Sequence, residues 1–263
     1  DRVMIMSQFY FIAVLVSGTA SAERYAGNDK ARDEPSFVDL YGILLDPIKD
    51  SVRNVTEVGV LSSSSEVGVA YRLSVEMWNE FFPSALIWGV EAGYTPKILN
   101  SISHYPRFRK IDADSTKCEE LSAFGFANES MDVIIDGGPH GVANANDALL
   151  SCLWRTLRPG GLYFVEDQRK YAAAEAVSPG KLGLSALMRF PESTSAAVRA
   201  ILEENDCFFA DTALGHRAWE RSQHVTPTAT FDRANHNSNV LVIRKRPSRS
   251  TLKRGPRGTV ATP

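Results

Sequence analysis

The stretch Met131-Asp132-Val133-Ile134-Ile135-Asp136-Gly137-Gly138-Pro139-His140 decides how this chain is read. Its first five residues are mostly apolar and partly β-branched, and Gly137-Gly138-Pro139 stops them. A short apolar run bounded by turn residues predicts a strand buried on both faces, as in a parallel sheet.

The same alternation continues outward. Downstream, Leu149, Leu153 and Leu157 recur at helical spacing and predict a helix that ends at Arg158-Pro159-Gly160-Gly161. Leu162 to Val165 then reads as the next strand, and Val240 to Ile243 as the last. Upstream, Phe108 to Ile111 and Ala85 to Val90 read as strands. Ser74 to Phe82 reads as a helix with Val75, Trp78 and Phe82 on one face, stopped by Pro83. Val55 to Val60 reads as the first core strand, preceded by a helix and turn over Asp46 to Arg53. Strand and helix in alternation imply an α/β fold with a doubly wound, mostly parallel, Rossmann-like sheet. Right-handed crossovers then put helices on both faces.

A chain of 263 residues, 44% hydrophobic and 23% charged, has ordinary globular composition and material for one sizeable core. Its formal charge of −2 gives no global signal for nucleic acid. The domain is expected over residues 23–246. Before it, the apolar run Phe9 to Val16 and the small residues ending at Ala20-Ser21-Ala22 resemble a signal peptide over residues 1–22. That points to the secretory pathway; a first helix in a cytoplasmic protein is the other reading. The apolar run is too short to span a bilayer. Asn54-Val55-Thr56 and Asn128-Glu129-Ser130 are glycosylation triplets. Arg244 to Arg257 is rich in Lys and Arg and poor in apolar residues, so a disordered basic tail is expected, with residues 247–263 outside the domain. The three cysteines, Cys118, Cys152 and Cys207, are widely spaced and odd in number, which reads as no disulfide framework. Cys152 is expected as a small buried side chain.

Ligands of doubly wound sheets bind beyond the carboxyl ends of the strands. Glu57 and Gly59 stand at the first such end, Glu91 at the second, Asp114 past the third, Asp136 to His140 at the fourth, and Glu166-Asp167 at the fifth. Acids at five successive strand ends predict one common site. A carboxylate after the second strand suits paired ribose hydroxyls, which assigns Glu91 to a nucleoside. Asp114 suits an adenine amino group or, equally, a helix cap. His140 suits a general base, with an ordinary pKa of about 6.5. Asp136, Glu166 and Asp167 offer hard oxygens for Mg2+, or hold His140. The first turn is unusual. The tetrad Glu-Val-Gly-Val occurs at Glu57 and again at Glu66, with serines between. The first copy is expected as the strand, leaving short residues such as Ser63 to approach the ligand.

With these motifs quoted, the chain resembles class I SAM-dependent O-methyltransferases of the macrocin/mycinamicin type, which act on sugar hydroxyls. The likeness rests on Tyr25-Ala26-Gly27-Asn28-Asp29-Lys30, Val55 to Val60, Ser74 to Trp78 with Phe82-Pro83, and Ile87-Trp88-Gly89-Val90-Glu91. It rests most on Asp132 to His140 and on Leu157 to Asp167. The resemblance implies S-adenosylmethionine (SAM) bound by Glu57, Gly59, Ser63, Glu91, Asp114 and Asp136, with His140 as the base. It also implies a divalent metal near Asp136, Glu166 and Asp167. The chain departs from the family pattern at Gly137, where a second acid, a metal ligand, is usual.

The expected activity is therefore methylation of a hydroxyl on a small molecule or sugar. The alternative is a binding protein that has kept the fold and lost activity. A dehydrogenase on the same sheet is disfavoured by the missing G-x-G-x-x-G turn.

Overall fold

The computed structural model describes residues 10–12, 37–60, 74–94, 96–138, 145–166, 195–211 and 239–247. Within these lie β1 (Tyr10–Ile12), α1 (Phe37–Leu45), β2 (Asn54–Val58), α2 (Ser74–Phe81), β3 (Leu86–Glu91) and α3 (Pro96–Ile102). There follow β4 (Phe108–Asp112), α4 (Cys118–Ala123), β5 (Met131–Asp136), α5 (Ala145–Leu153), β6 (Leu157–Val165), α6 (Ala196–Glu204), β7 (Asp206–Asp211) and β8 (Asn239–Arg244).

The strands form one sheet in the order β1-β7-β8-β6-β5-β2-β3-β4. Every neighbouring pair is parallel except those made by β8, which runs antiparallel to β6 and β7. From β2 the chain winds outward through β3 to β4, then returns to β5 on the other side of β2. The switch in winding falls between β2 and β5, where open α/β sheets place their ligands. This is the doubly wound, mostly parallel, Rossmann-like sheet that the sequence predicts.

The period of two along each strand sorts the core into two layers. Val133 and Ile135 of β5 pack with Tyr41, Leu45, Trp78 and Phe82 of the α1/α2 face. Ile134, between them, packs with Leu121, Leu149, Leu153 and Leu202 on the face of α4, α5 and α6. Burying each large side chain stabilises the fold by about 1.5–3 kcal/mol. Helix α6 starts at Ser195, whose hydroxyl accepts from the Val198 amide at 3.2 Å. Its Val198, Ile201 and Leu202 form one buried stripe.

Several expectations need correction. The helix before β2 is α1, over Phe37–Leu45, and residues 46–51 form turns. Leu157 opens β6 and does not extend α5; a short 3-10 turn, Trp154–Thr156, separates the two. Tyr10–Ile12 forms a short outer strand that pairs in parallel with Phe208–Ala210 of β7. Thr56 is buried in β2, so the Asn54 triplet is closed to glycosylation in the folded protein, whereas Asn128 lies in an exposed turn. Arg244 ends β8, and the two residues after it are tied down. Lys245 donates through Nζ to the carbonyls of Trp154 (3.2 Å) and Leu157 (2.5 Å), and Arg246 donates to Asp206 at 2.7 Å. Cys118 and Cys152 form a disulfide, Cα to Cα 5.5 Å, and Cys207 is buried and free. Sequence spacing missed the pair because it carries no information on which helices lie side by side. Here α4 and α5 pack on the same face. No helix of the described residues is long and apolar enough to cross a membrane.

Candidate functional site

The ladder hydrogen bonds run one step past the strand ends and align the turns there. The Gly59 amide donates to Val90 (3.0 Å), Gly137 to Val58 (3.0 Å), Glu166 to Asp136 (2.9 Å) and Ala113 to Glu91 (3.2 Å). Val58 is in register with both Val90 and Asp136, and Asp136 with Val165. The backbones at Gly59, Glu91, Ala113, Gly137 and Glu166 therefore share one edge of the sheet.

Each acid has its own setting on that rim. Glu57 lies one residue inside the end of β2 and is completely buried. Its Oε2 accepts the hydroxyl of Ser74, the first residue of α2, at 2.7 Å. Glu57 thus anchors the point where the chain returns after residues 61–73. Gly59 has φ +78°, a region that favours glycine. A β-carbon there would stand 2.3 Å from the carbonyl oxygen of Gly137, so the close approach that requires glycine is to the β5 turn. Glu91, half-buried, closes β3 opposite Asp112, and its Oε1 accepts from the Ala92 amide at 3.2 Å.

Asp114 organises the turn after β4. Its Oδ1 accepts from the amide (3.0 Å) and hydroxyl (2.6 Å) of Thr116, and Lys117 lies 3.3 Å from Oδ2. The Thr116 hydrogen bonds, the hydroxyl's first, hold its carboxyl below the usual carboxylate range, with Lys117 adding to the effect. Glu120 accepts from the Asp114 amide at 2.8 Å, and that bond, with Lys117 behind it, holds the Glu120 carboxyl low as well.

Asp136 is fully buried, and its Oδ1 accepts from the Gly138 amide at 3.1 Å. Tyr163 of β6 lies on the same face, since its neighbour in register is Ile134. Burial, and then the Asp136 carboxylate, push the Tyr163 phenol well above its ordinary pKa, so it remains protonated. Glu166, also buried, accepts a hydrogen bond at Oε1 from the hydroxyl of Tyr41.

Sequence reading missed Tyr94 and Asp112. The Tyr94 hydroxyl donates to the Gly89 carbonyl at 2.9 Å. Burial, followed by the charges of Glu91, Glu57 and Asp112, raises its pKa. Asp112 accepts from the Gly93 amide at 3.1 Å. The signal for both was the Glu91-Ala92-Gly93-Tyr94 turn, in which Gly93 has φ +83°. Gly89 is part of the same arrangement: a β-carbon on it would meet the Phe108 ring at 2.6 Å and the Tyr94 hydroxyl at 2.9 Å.

Ser63, His140 and Asp167 lie outside the described residues, as does the second Glu-Val-Gly-Val copy; the first copy enters β2 as expected. Among the described residues no three His, Cys, Asp or Glu side chains are grouped to hold a metal ion. Asp136 and Glu166 alone do not make a Mg2+ site, and Gly137 adds no ligand.

No family model matches the chain. Over 122 residues it is 33% identical to the 8-demethyl-8-alpha-L-rhamnosyl tetracenomycin-C 2'-O-methyltransferase of Streptomyces olivaceus, covering 46% of this chain and 30% of that protein. Over 96 residues it is 32% identical to the mycinamicin VI 2''-O-methyltransferase of Micromonospora griseorubida, covering 36% and 22%. The chain thus spans less than a third of the length of these relatives. Among solved structures it is similar to the MycE methyltransferase of the mycinamycin biosynthetic pathway, in complex with Mg and SAH. That likeness has 22% identity, covers 80% of this chain and 49% of that one, and has a TM-score of 0.47. Over the matched stretches the chain is similar to sugar O-methyltransferases, as its motifs predict.

Proposed function

We propose that this chain is a SAM-dependent O-methyltransferase acting on a hydroxyl of a sugar or another small molecule. The observation that carries the reading is the shared rim. Gly59, Glu91, Gly137 and Glu166 stand at adjacent strand ends across the switch point, joined by backbone hydrogen bonds of 2.9–3.2 Å. Two relatives whose names place a methyl on an oxygen of a rhamnosyl compound and of mycinamicin VI support the same reaction class.

Bound SAM supplies an electrophilic methyl on a sulfonium. The rest of the work falls to the protein. Glu91 accepts the paired ribose hydroxyls, the task of an acid after the second strand of such a sheet. Asp114 and the turn it organises wall the adenine. Glu57 and Gly59 hold the first turn against β5, and Ser63 keeps the cofactor-contacting role that the resemblance implies. The acids on the rim complement the positive charge of the cofactor. His140, two residues past Gly138 in sequence, would take the proton of the acceptor hydroxyl, to whose oxygen SAM would give its methyl group. Glu166 orients the acceptor. The reaction is an in-line displacement whose main demand is positioning. Mg2+ near Asp136, Glu166 and Asp167 remains the expectation of the resemblance; the described residues alone do not complete its site.

The test is calorimetric titration of SAM into the full chain and into Glu91→Ala. Wild type binds, and the variant binds at least tenfold more weakly, a loss of about 1.4 kcal/mol, the scale of one charge-assisted hydrogen bond. Equal affinities would remove Glu91 from the cofactor site, and no binding by either protein would remove the methyltransferase reading.

A further inference from the structure

The hydrogen bond between Tyr41 and Glu166 joins residues separated by 125 positions in the chain and is buried. Tyr41 belongs to α1, which contributes no strand-end residue to the rim. Its ring is clamped edge-on by two others, Trp78 of α2 at 5.0 Å and Phe164 of β6 at 5.1 Å between centroids. Phe164 lies two residues before Glu166 on the same strand end. The phenol is therefore held on the strand that delivers the carboxylate, and ring packing sets the direction of its O–H. A carboxylate buried to 3% exposure cannot rely on water to fix its rotamer, so a protein donor must do so. A phenol donor leaves the charge of the carboxylate in place while committing one of its oxygens.

Resting on the methyltransferase reading above, we infer that Tyr41 is a positioning residue for the acceptor side of the site. It holds the Glu166 carboxylate in the orientation that receives the acceptor hydroxyl. It does not touch the acceptor and acts through Glu166. It also makes α1, which precedes the first core strand, part of the catalytic apparatus.

Tyr41→Phe retains the ring against Trp78 and Phe164 and removes only the hydroxyl. The experiment compares full-chain wild type, Tyr41→Phe, Glu166→Gln and the double variant. Two measurements are made on each: SAH binding by calorimetry, and methyl transfer from SAM to p-nitrophenyl α-L-rhamnopyranoside. Ultraviolet resonance Raman of wild type minus Tyr41→Phe reports directly whether the phenol is a strong donor. The expected result is a donor signature, SAH affinity within twofold of wild type, and turnover at saturating SAM reduced about tenfold in Tyr41→Phe. In the Glu166→Gln background, Tyr41→Phe should cost nothing more, because the partner is already gone; a residue with a merely structural role would lower both backgrounds alike. Wild-type turnover in Tyr41→Phe, additive losses, or a missing donor signature each overturn the inference. Wild type that binds SAH but leaves the rhamnoside unmethylated overturns the acceptor-side role on that sugar. Failure of wild type to bind SAH overturns the methyltransferase reading itself and is seen before any variant is compared.

Discussion

Gly59 and Gly137 face each other so closely that a β-carbon on the first would lie 2.3 Å from the carbonyl oxygen of the second. The contact joins the turns after β2 and β5, the two strands that flank the switch point. It forces Gly59 to φ +78°. Gly59→Ala combines backbone strain with a clash against main chain, which has no rotamer through which to escape. The variant should lose roughly 2–4 kcal/mol in urea unfolding. It should also bind SAH far more weakly, because both turns must shift. Unchanged stability would show that the two turns are not locked together.

The opposite edge of the sheet makes the contrasting prediction. Asp132, near the start of β5, accepts from the amides of Arg53 (2.7 Å) and Asn54 (2.8 Å) through Oδ2 and pairs with the Arg158 guanidinium. It ties β2, β5 and β6 together at the end away from the rim. Asp132→Ala leaves two inward-facing amides without that acceptor, a cost of about 1–3 kcal/mol for each that stays unsatisfied. Urea unfolding should register the loss, while SAH affinity stays within twofold of wild type. A large drop in affinity would mean that the two edges are coupled.

The strands were legible because burial on both faces writes itself into sequence as short apolar runs. The expected strands Val55–Val60, Ala85–Val90 and Met131–Ile135 differ by at most two residues at either end from the observed Asn54–Val58, Leu86–Glu91 and Met131–Asp136 for that reason. The rim was legible because an acid after a buried strand has few other uses. What escaped were residues whose role depends on tertiary neighbours. Tyr41 and Tyr94 look like ordinary core aromatics until the chain brings Glu166 to the hydroxyl of the first and the Gly89 carbonyl to that of the second. Helix α1 escaped because the helix and turn before β2 were expected over Asp46 to Arg53, while the buried stripe Val38, Tyr41, Leu45 lies just before that stretch. Helix α6 and β7 carry a readable pattern, Val198/Ile201/Leu202 followed by Cys207-Phe208-Phe209.

The disulfide between Cys118 and Cys152 encloses β5 and the turn that leads to Gly138, since the two residues are 34 apart in sequence. Closing a loop of that length removes unfolded-state entropy worth about 3–4 kcal/mol. Dithiothreitol should therefore lower unfolding stability by up to that amount, and Cys118→Ser should match the reduced wild type and be insensitive to the reductant. Mass spectrometry after alkylation of the unreduced, denatured protein should find one label, on Cys207. Three labels would show that the two thiols stand side by side without a bond.

Cys207 gives a pH prediction. Burial first, and the neighbouring Asp206 second, push its thiol from the ordinary 9.0 up to about 12, with Arg246 pulling weakly the other way. The folded pKa is raised, so its contribution to stability is whole below pH 9. Between pH 9 and 12 the unfolded chain releases this proton and the folded chain keeps it, so stability falls as pH rises. The slope approaches about 1.4 kcal/mol per pH unit. Tyr94 and Tyr163 also favour their protonated forms in the fold, so the effect must be read as a difference. With Cys118 and Cys152 both changed to Ser, to prevent thiol exchange, the stability gap between Cys207 and Cys207→Ala should be constant from pH 7 to 8.5. Above pH 9 it should move in favour of the alanine variant by roughly a kilocalorie per mole for each pH unit. A gap that stays flat to pH 11 would mean that the Cys207 thiolate is tolerated where it sits, and that the space between α6 and β8 is less dry than its apolar neighbours imply.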